Sequence, residues 1–242
     1  MKIIKLNAID STNSFLKEMT HTSLLENFTI AVTKEQTNGR GQMGTKWVSE
    51  PNKNLLCSVF VQFNSLPISH QVLINYAVSI AILNVLKAHK LPRLAVKWPN
   101  DILSSNKKIC GILVENVMLK EEIKHSFIGI GLNVNQTVFS HNLNATSIVN
   151  ELNYEVNLDT LLSELISELK IQISYITNAS TNVLKKNYLK YLYKKNTPTM
   201  FKNSNGSLFM GKIIGVSSVG KLQIELENDA IKEFGVKEIS FA

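Results

Sequence analysis

The chain has 242 residues, of which 44% are hydrophobic and 19% charged, with a formal net charge of +7 and a pI near 9.3. These values exclude a disordered or fibrous class and suffice for one large domain, or for a large and a small one. The basic balance favours anionic substrates or acidic partners. No helix-turn-helix, zinc-finger or aromatic RNA-binding signature accompanies it, so we expect no nucleic-acid partner.

Compartment signals are weak throughout the sequence. The longest apolar runs, at 78–85 and 109–114, are shorter than the ~20 residues that cross a bilayer, and the first five residues are too short for a signal peptide. Cys57 and Cys110 lie in strand-like runs without metal-ligand spacing, and the five histidines show none either. We therefore expect a soluble, cytoplasmic protein with reduced thiols and no membrane partner, and the sequence does not identify metal ligands.

The first half of the chain alternates strand and helix signals. Capping residues at Asp10–Asn13 follow a short first strand and predict a helix start. A long amphipathic helix is predicted from Pro67 to about Lys90. The predicted strands of this half are 2–8, 28–33, 55–63 and 94–98, the last ended by Pro99.

The second half continues the sheet and then changes character. Further strands are predicted at 109–114 and 126–135, and helices at 158–176 and 183–193. Short strands with turn residues follow Asn196, including 209–216 and 221–226. The predicted fold class is α+β, a mixed and largely antiparallel sheet flanked by helices (1–195), with a small C-terminal β-barrel (196–242).

A glycine-rich stretch, Thr33–Trp47, lies between two predicted strands. The residues 39–44, GRGQMG, match the dinucleotide-binding fingerprint literally, but a proline and no helical periodicity follow, so that interpretation is rejected. A P-loop is rejected as well, because the lysine after the last glycine is misplaced and no helix follows. From this stretch alone, the alternative interpretation is an ordinary mobile surface loop.

Four motifs in order resemble those of the biotin protein ligases, also called holocarboxylase synthetases. They are DSTN at 10–13, GRGxxGxxW at 39–47, KWPND at 97–101 and KxxGILVE at 108–115. The GxGxN strand at 129–133 and the ATS segment at 145–147 also fit. The resemblance covers essentially the whole chain and implies a class II synthetase-like catalytic domain with an SH3-like C-terminal module.

The resemblance implies ATP-dependent ligation of biotin, through biotinyl-5′-AMP, to a lysine of a biotin carboxyl carrier domain, with Mg²⁺ and ATP required. It leaves open a homodimer. Lys108, Arg40 and Asp101 are the implied catalytic residues, because joining two anions requires fixed positive charge and the acceptor lysine must be oriented or deprotonated. The implied biotin-binding residues are Ser11, Thr12, Asn13, Gln36, Gly39, Arg40, Gly41, Gln42, Lys108 and Gly111. The implied ATP- or adenylate-binding residues are Trp47, near adenine, with Asn100, Gly131 and Asn133.

The sequence departs from the family pattern at two places. Gln42 stands where the family often has an arginine that helps hold the adenylate, so its charge must be replaced or the intermediate is held less tightly. Only nine residues precede Asp10, too few for the winged helix-turn-helix of some members, so no repressor function is expected. The alternatives are a lipoate or octanoate ligase of the same fold and a non-catalytic biotin sensor.

Overall fold

The structure is a computed structural model, and it describes residues 2–140, 143–178 and 180–242. The first of two sheets has seven strands in the order β1-β2-β3-β7-β6-β5-β4. Its strands are β1 (Ile3–Ile9), β2 (Thr29–Gln36), β3 (Leu55–Pro67), β4 (Ala95–Lys97), β5 (Asp101–Ser104), β6 (Lys107–Leu119) and β7 (Glu122–Leu132). Strands β1 and β2 are parallel, and the other neighbours are antiparallel. The predicted mixed, largely antiparallel sheet is confirmed.

Helices cover both faces of this sheet. They are α1 (Thr12–Thr22), α2 (Gln71–Ala88), α3 (Ile148–Leu152), α4 (Leu158–Thr177) and α5 (Thr181–Lys190). Successive strand residues point to opposite faces, so Val59 and Val61 join the core shared with α2 and α4, whereas Phe60 packs with Leu16 of α1. The site described below lies on the α1 face.

Helix α2 is the core helix of the larger layer. Together with the preceding 3-10 turn, Ile68–His70, it forms a 21-residue segment whose length and mean hydropathy of 1.5 would suffice to cross a membrane. The sequence analysis considered only continuous apolar runs and therefore did not identify this segment. The few polar residues of α2 interrupt those runs but hardly lower the mean hydropathy of the helix. In this fold 67% of its most apolar window is buried, since α2 packs between the sheet, α4 and α5.

The second sheet is the predicted small C-terminal β unit. Its strands are β8 (Pro198–Asn203), β9 (Leu208–Val216), β10 (Leu222–Leu226), β11 (Ile231–Phe234) and β12 (Ile239–Phe241), in the order β11-β10-β9-β8-β12. Lys195 bridges to Ile213 of β9, and the Trp98 indole donates to the Gly220 carbonyl at 3.0 Å. Contacts therefore cross the predicted boundary at 195/196, which stays a prediction, as does the likeness to an SH3 barrel.

Element boundaries differ most where a strand runs past its apolar stretch. Strand β6 extends to Leu119 beyond the predicted 109–114, because pairing with β7 continues past the polar residues Glu115 and Asn116. Helix α3 was not predicted. It has only five residues and lies in a polar stretch, where the Ser147 side chain caps it by accepting from the Asn150 amide. His141 and Asn142, in the stretch predicted to be irregular, lie outside the described residues.

Candidate functional site

The loop of residues 39–47, called the glycine loop from here on, folds back as a hairpin over one face of the large sheet. The Trp47 amide donates to the Gly39 carbonyl at 2.9 Å, and the Gly41 amide donates to the Thr45 carbonyl at 2.7 Å. A single 3-10 turn, Gln42–Gly44, lies at its tip. The chain then reaches β3 without a helix, so this loop has neither the dinucleotide-binding nor the P-loop structure.

Beneath the glycine loop is a cavity of about 280 Å³, close to the lower end of ligand pockets. Helix α1, strands β3, β5, β6 and β7, and the turn before β12 all contribute to its walls. The sequence-predicted residues that line it are Ser11, Thr12, Asn13, Gln36, Arg40, Gly41, Gln42, Trp47, Asn100, Asp101, Lys108, Gly111 and Gly131. Motifs that are distant in sequence thus meet in one cavity.

The inner end of the cavity is a hydrogen-bonded polar cluster at the start of α1. Thr12 donates from its amide to Gln36 Oε1 at 2.9 Å and contacts the Ser58 hydroxyl at 2.6 Å. Ser58 also donates to Asn13 Oδ1 at 2.6 Å. Thr12, Asn13 and Ser58 are nearly fully buried, and burial of polar groups is costly unless they are paired. In the described chain Gln36 Nε2 and the Ser11 hydroxyl hydrogen make no bond, which leaves donors for a ligand.

Glu115 connects this polar cluster to the glycine loop. Its Oε2 accepts from Asn13 Nδ2 at 2.8 Å and from Arg40 Nη2 at 2.7 Å, while its Oε1 accepts from Arg40 Nη1 at 3.1 Å. The guanidinium fork is therefore held bidentately by a carboxylate. Arg40, predicted to be catalytic, here fixes the loop to β6.

Lys108 lines the cavity beside Asp101 and Trp47. Its Nζ is 2.7 Å from Asp101 Oδ1 and 5.3 Å from the centre of the Trp47 ring. The carboxylate and the ammonium group therefore form a close ion pair inside the cavity. The backbone of Lys108 pairs with the 144–146 segment through its amide and carbonyl, both at 2.9 Å. That pairing accounts for the ATS segment of the motif set.

Two glycines form the floor on which Trp47 lies. A Cβ on Gly111 would come within 2.8 Å of the Trp47 ring, and one on Gly131 within 2.6 Å. Side chains at these positions would displace the indole, so the close approach requires glycine. The indole Nε1 is buried without a partner in the described chain.

Two predicted residues do not line the cavity. Gly39 is at the base of the loop, where a Cβ would meet the Trp47 carbonyl at 2.5 Å. Asn133 is buried, and its amide donates to the Thr146 carbonyl at 3.0 Å, so it fixes a strand end rather than facing the cavity. Asn100 lines the cavity, but its side-chain amide donates to the Ile112 carbonyl at 2.7 Å.

Sequence reasoning missed several residues that do line it. Ser58 lies on β3 opposite Gly129 of β7, the first glycine of the GxGxN motif, and Lys46 and Lys237 supply further positive charge. Ser58 carried one usable signal, a polar residue in an apolar strand. Lys237 carried none.

The two cysteines are free and buried, as expected. Burial raises the pKa of the Cys57 thiol to about 12 and moves the pKa of Cys110 well above its ordinary value. Both thiols are therefore protonated and unreactive at neutral pH. The described residues contain no cluster of three or more histidine, cysteine or acidic side chains that could hold a metal by themselves.

Comparisons with known proteins agree on one family. The model of the biotin/lipoate A/B protein ligase family matches residues 6–133. The bifunctional ligase/repressor BirA of Bacillus spizizenii is 27% identical over 98% of this chain and 71% of that protein. A biotin–[acetyl-CoA-carboxylase] ligase of Mycobacterium tuberculosis is 28% identical over 62% of this chain and 56% of that protein. The structure of the Aquifex aeolicus biotin protein ligase with biotin and ATP superposes with a TM-score of 0.80 at 24% identity, covering 100% of this chain and 98% of that one.

Proposed function

The chain belongs to the biotin/lipoate A/B protein ligase family, and from that premise we propose that it is an ATP-dependent biotin ligase. It joins biotin to a lysine of a biotin carboxyl carrier domain by way of biotinyl-5′-AMP. The relatives named as biotin ligases and the solved ligase complex with biotin and ATP support this activity.

The polar cluster at the start of α1 is the observation that favours biotin over lipoate. A ureido ring carries two N–H donors and one carbonyl acceptor, whereas a dithiolane ring offers neither. Ser11, Thr12, Asn13 and Gln36 form a buried or half-buried set of hydroxyls and amides at the closed end of the cavity. A site built to hydrogen-bond its ligand rejects an analogue that leaves such groups unpaired.

In the first half-reaction a biotin carboxylate oxygen attacks the α-phosphorus of ATP, the bond to the pyrophosphate oxygen breaks, and biotinyl-5′-AMP forms. Both reactants are anions, so the barrier falls through positioning and fixed positive charge. We assign Lys108 to the carboxylate and α-phosphate, because its ammonium group lines the cavity between Asp101 and the Trp47 ring. Trp47 and the two floor glycines hold the ligand in line.

In the second half-reaction the acceptor lysine amine attacks the acyl carbon of the adenylate, an amide forms, AMP leaves and the amine loses a proton. We assign Asp101 to orient that amine, because its carboxylate lines the cavity next to Lys108.

Asp101 would be the residue to hold Mg²⁺, which would supply positive charge to the phosphates of ATP. The residues fit this role, because Mg²⁺ typically takes one or two carboxylates plus substrate phosphates. In the part of the chain that the structure describes, Asp101 is the one carboxylate lining the cavity.

The purified protein should be incubated with ATP, Mg²⁺ and a biotin carrier domain, with biotin or lipoate in parallel. We expect biotin-dependent exchange between ATP and pyrophosphate, and mass addition of one biotin to the carrier. Modification by lipoate alone, or biotin binding without transfer, would contradict the proposal. The cytoplasmic location, the homodimer and the lack of a nucleic-acid, membrane or repressor role stay predictions.

A further inference from the structure

The C-terminal β unit reaches the cavity through one turn, which connects β11 to β12. Val236 and Lys237 of this turn line the cavity, and Lys237 Nζ donates to the Met43 carbonyl at the tip of the glycine loop at 2.9 Å. The two residues are 194 positions apart in sequence. A lysine of one structural unit thus holds the loop of the other.

The turn that carries Lys237 is held in a fixed shape. The Gly235 amide donates to Glu238 Oε2 at 2.6 Å, and the Ser204 amide donates to the Glu238 carbonyl at 3.0 Å. Lys237 itself has a φ of 66°, in the left-handed region that few residues other than glycine occupy. Its partner Met43 has a φ of 51°, also left-handed. The contact therefore joins two backbone segments in unfavourable conformations, which the surrounding contacts must maintain.

Four cations line the cavity, and they differ in their partners. Arg40 is paired with Glu115 and Lys108 with Asp101. Lys46 and Lys237 make no ion pair among the described residues. An ammonium group has three donors, so Lys237 keeps two after its bond to Met43. Gln42, which lacks the positive charge expected there, lines the same cavity.

We propose that Lys237 is the residue that replaces this missing charge: it latches the glycine loop shut and binds a phosphate oxygen of ATP and of the adenylate. This inference rests on the proposed function. Because the ammonium group contacts the loop tip rather than the polar cluster, it acts on nucleotide binding and adenylate retention, and not on recognition of the biotin ring.

Lys237→Gly tests the proposal cleanly, since glycine accepts the left-handed backbone while the amine is removed. We expect the release rate of biotinyl-5′-AMP and the KM for ATP each to rise about tenfold, the size of one lost charged hydrogen bond. The Kd for biotin should rise much less than the KM for ATP, because the polar cluster is intact and only the loop contacts are loosened. Lys237→Arg keeps the positive charge, so its adenylate release rate and its KM for ATP should both stay closer to the wild-type values than those of Lys237→Gly.

The matched control is Lys120→Gly. Lys120 is an exposed lysine with a φ of 56° in the turn between β6 and β7, and it does not line the cavity. Lys120→Gly should leave the adenylate release rate, the KM for ATP and the Kd for biotin unchanged. Adding Gln42→Arg to Lys237→Gly should restore adenylate retention, because the charge returns at the position where it is missing.

The outcomes separate the two levels of the argument. If the wild-type protein shows no biotin-dependent exchange, the proposed function fails and this inference fails with it. If the wild type is active and Lys237→Gly matches it in adenylate release and KM for ATP, only the role of Lys237 is wrong. An equal loss of biotin affinity and ATP affinity would also overturn it, since that result indicates general loosening of the loop.

Discussion

Substitutions at Gly129 and Asn13 test the polar cluster directly, because a side chain at position 129 would clash with the side chain of Asn13. A Cβ at position 129 would have as its three nearest atoms Oδ1, Cγ and Nδ2 of Asn13, at 2.8, 3.2 and 3.3 Å. All three belong to a side chain that is 2% exposed and bonded to Ser58, Leu113 and Glu115. Asn13 cannot move aside without breaking those bonds.

We therefore expect Gly129→Ala to cost about 1–3 kcal/mol of unfolding free energy, the usual range for overpacking a filled site. Asn13→Ala should cost about 1–3 kcal/mol through lost buried hydrogen bonds. The double variant should cost nearly the same as Asn13→Ala alone, because truncating Asn13 removes every atom that the new methyl group would meet. The coupling free energy should then be about 1–3 kcal/mol.

Urea denaturation followed by circular dichroism measures these four free energies, and calorimetric titration measures biotin affinity. Both single variants should weaken biotin binding by at least about tenfold, the effect of one lost hydrogen bond in a buried site. Gly215→Ala is the matched control, because its Cβ would meet only the flexible end of Gln223, at 3.3 Å. Additive costs in the double variant, or wild-type biotin affinity in Gly129→Ala, would refute the reasoning.

Three further predictions address the chemistry, the loop and the buried ionisable groups. Lys108→Ala should reduce biotin-dependent exchange of ATP with pyrophosphate by at least about a hundredfold, with an unchanged circular dichroism spectrum. Full activity of this variant would show that Lys108 is not required for adenylate formation. Glu115→Gln should weaken loop closure by about 1 kcal/mol, a value kept small because the side chains of Arg40 and Glu115 are 40% and 29% exposed. Release of the adenylate, measured by stopped flow, should then be about fivefold faster. An unchanged release rate would show that the Arg40–Glu115 pair does not position the loop. Burial raises the pKa of Cys57 from 9.0 and that of Tyr76 from 10.0, each to about 12. The protonated native state should therefore lose about 1.4 kcal/mol of stability per pH unit for each group, as pH rises above 9.0 for Cys57 and above 10.0 for Tyr76. Urea unfolding between about pH 9 and about pH 11 checks this slope, which Cys57→Ala should make shallower.

Periodicity predicted the helices and strands well where a single face is buried. Helix α4 was predicted at 158–176 and observed at Leu158–Thr177, because its apolar residues keep helical spacing to the end. Strand ends were less predictable, since hydrogen bonding to a neighbour carries a strand past polar residues that interrupt its apolar run. Strand β6 is the clearest case.

The cavity-lining residues were predictable when they belong to short contiguous motifs, and not otherwise. Ser58 stands in a strand whose orientation is fixed by its register with β2 and β7, where it lies opposite Ala31 and Gly129. The pairing of Arg40 with Glu115 joins positions 75 residues apart, so the sequence did not predict the carboxylate that holds this cation. In both cases the missing information is the register of strands, which no local pattern contains.

The division of the four cations explains how such a cavity is stable before its substrates arrive. Four uncompensated charges around about 280 Å³ would repel one another and oppose folding. The two cations nearest the sheet, Arg40 and Lys108, are neutralised by Glu115 and Asp101, and these pairs also fix the loop and the central amine in place. Lys46 and Lys237, which make no ion pair among the described residues, are exposed, so water screens their charge at little cost. An arriving triphosphate then meets positive charge at the rim first, and its binding excludes the water that screened it. The absence of an arginine at position 42 is tolerable on this view, because the rim charge that retains the adenylate can come from a different structural unit.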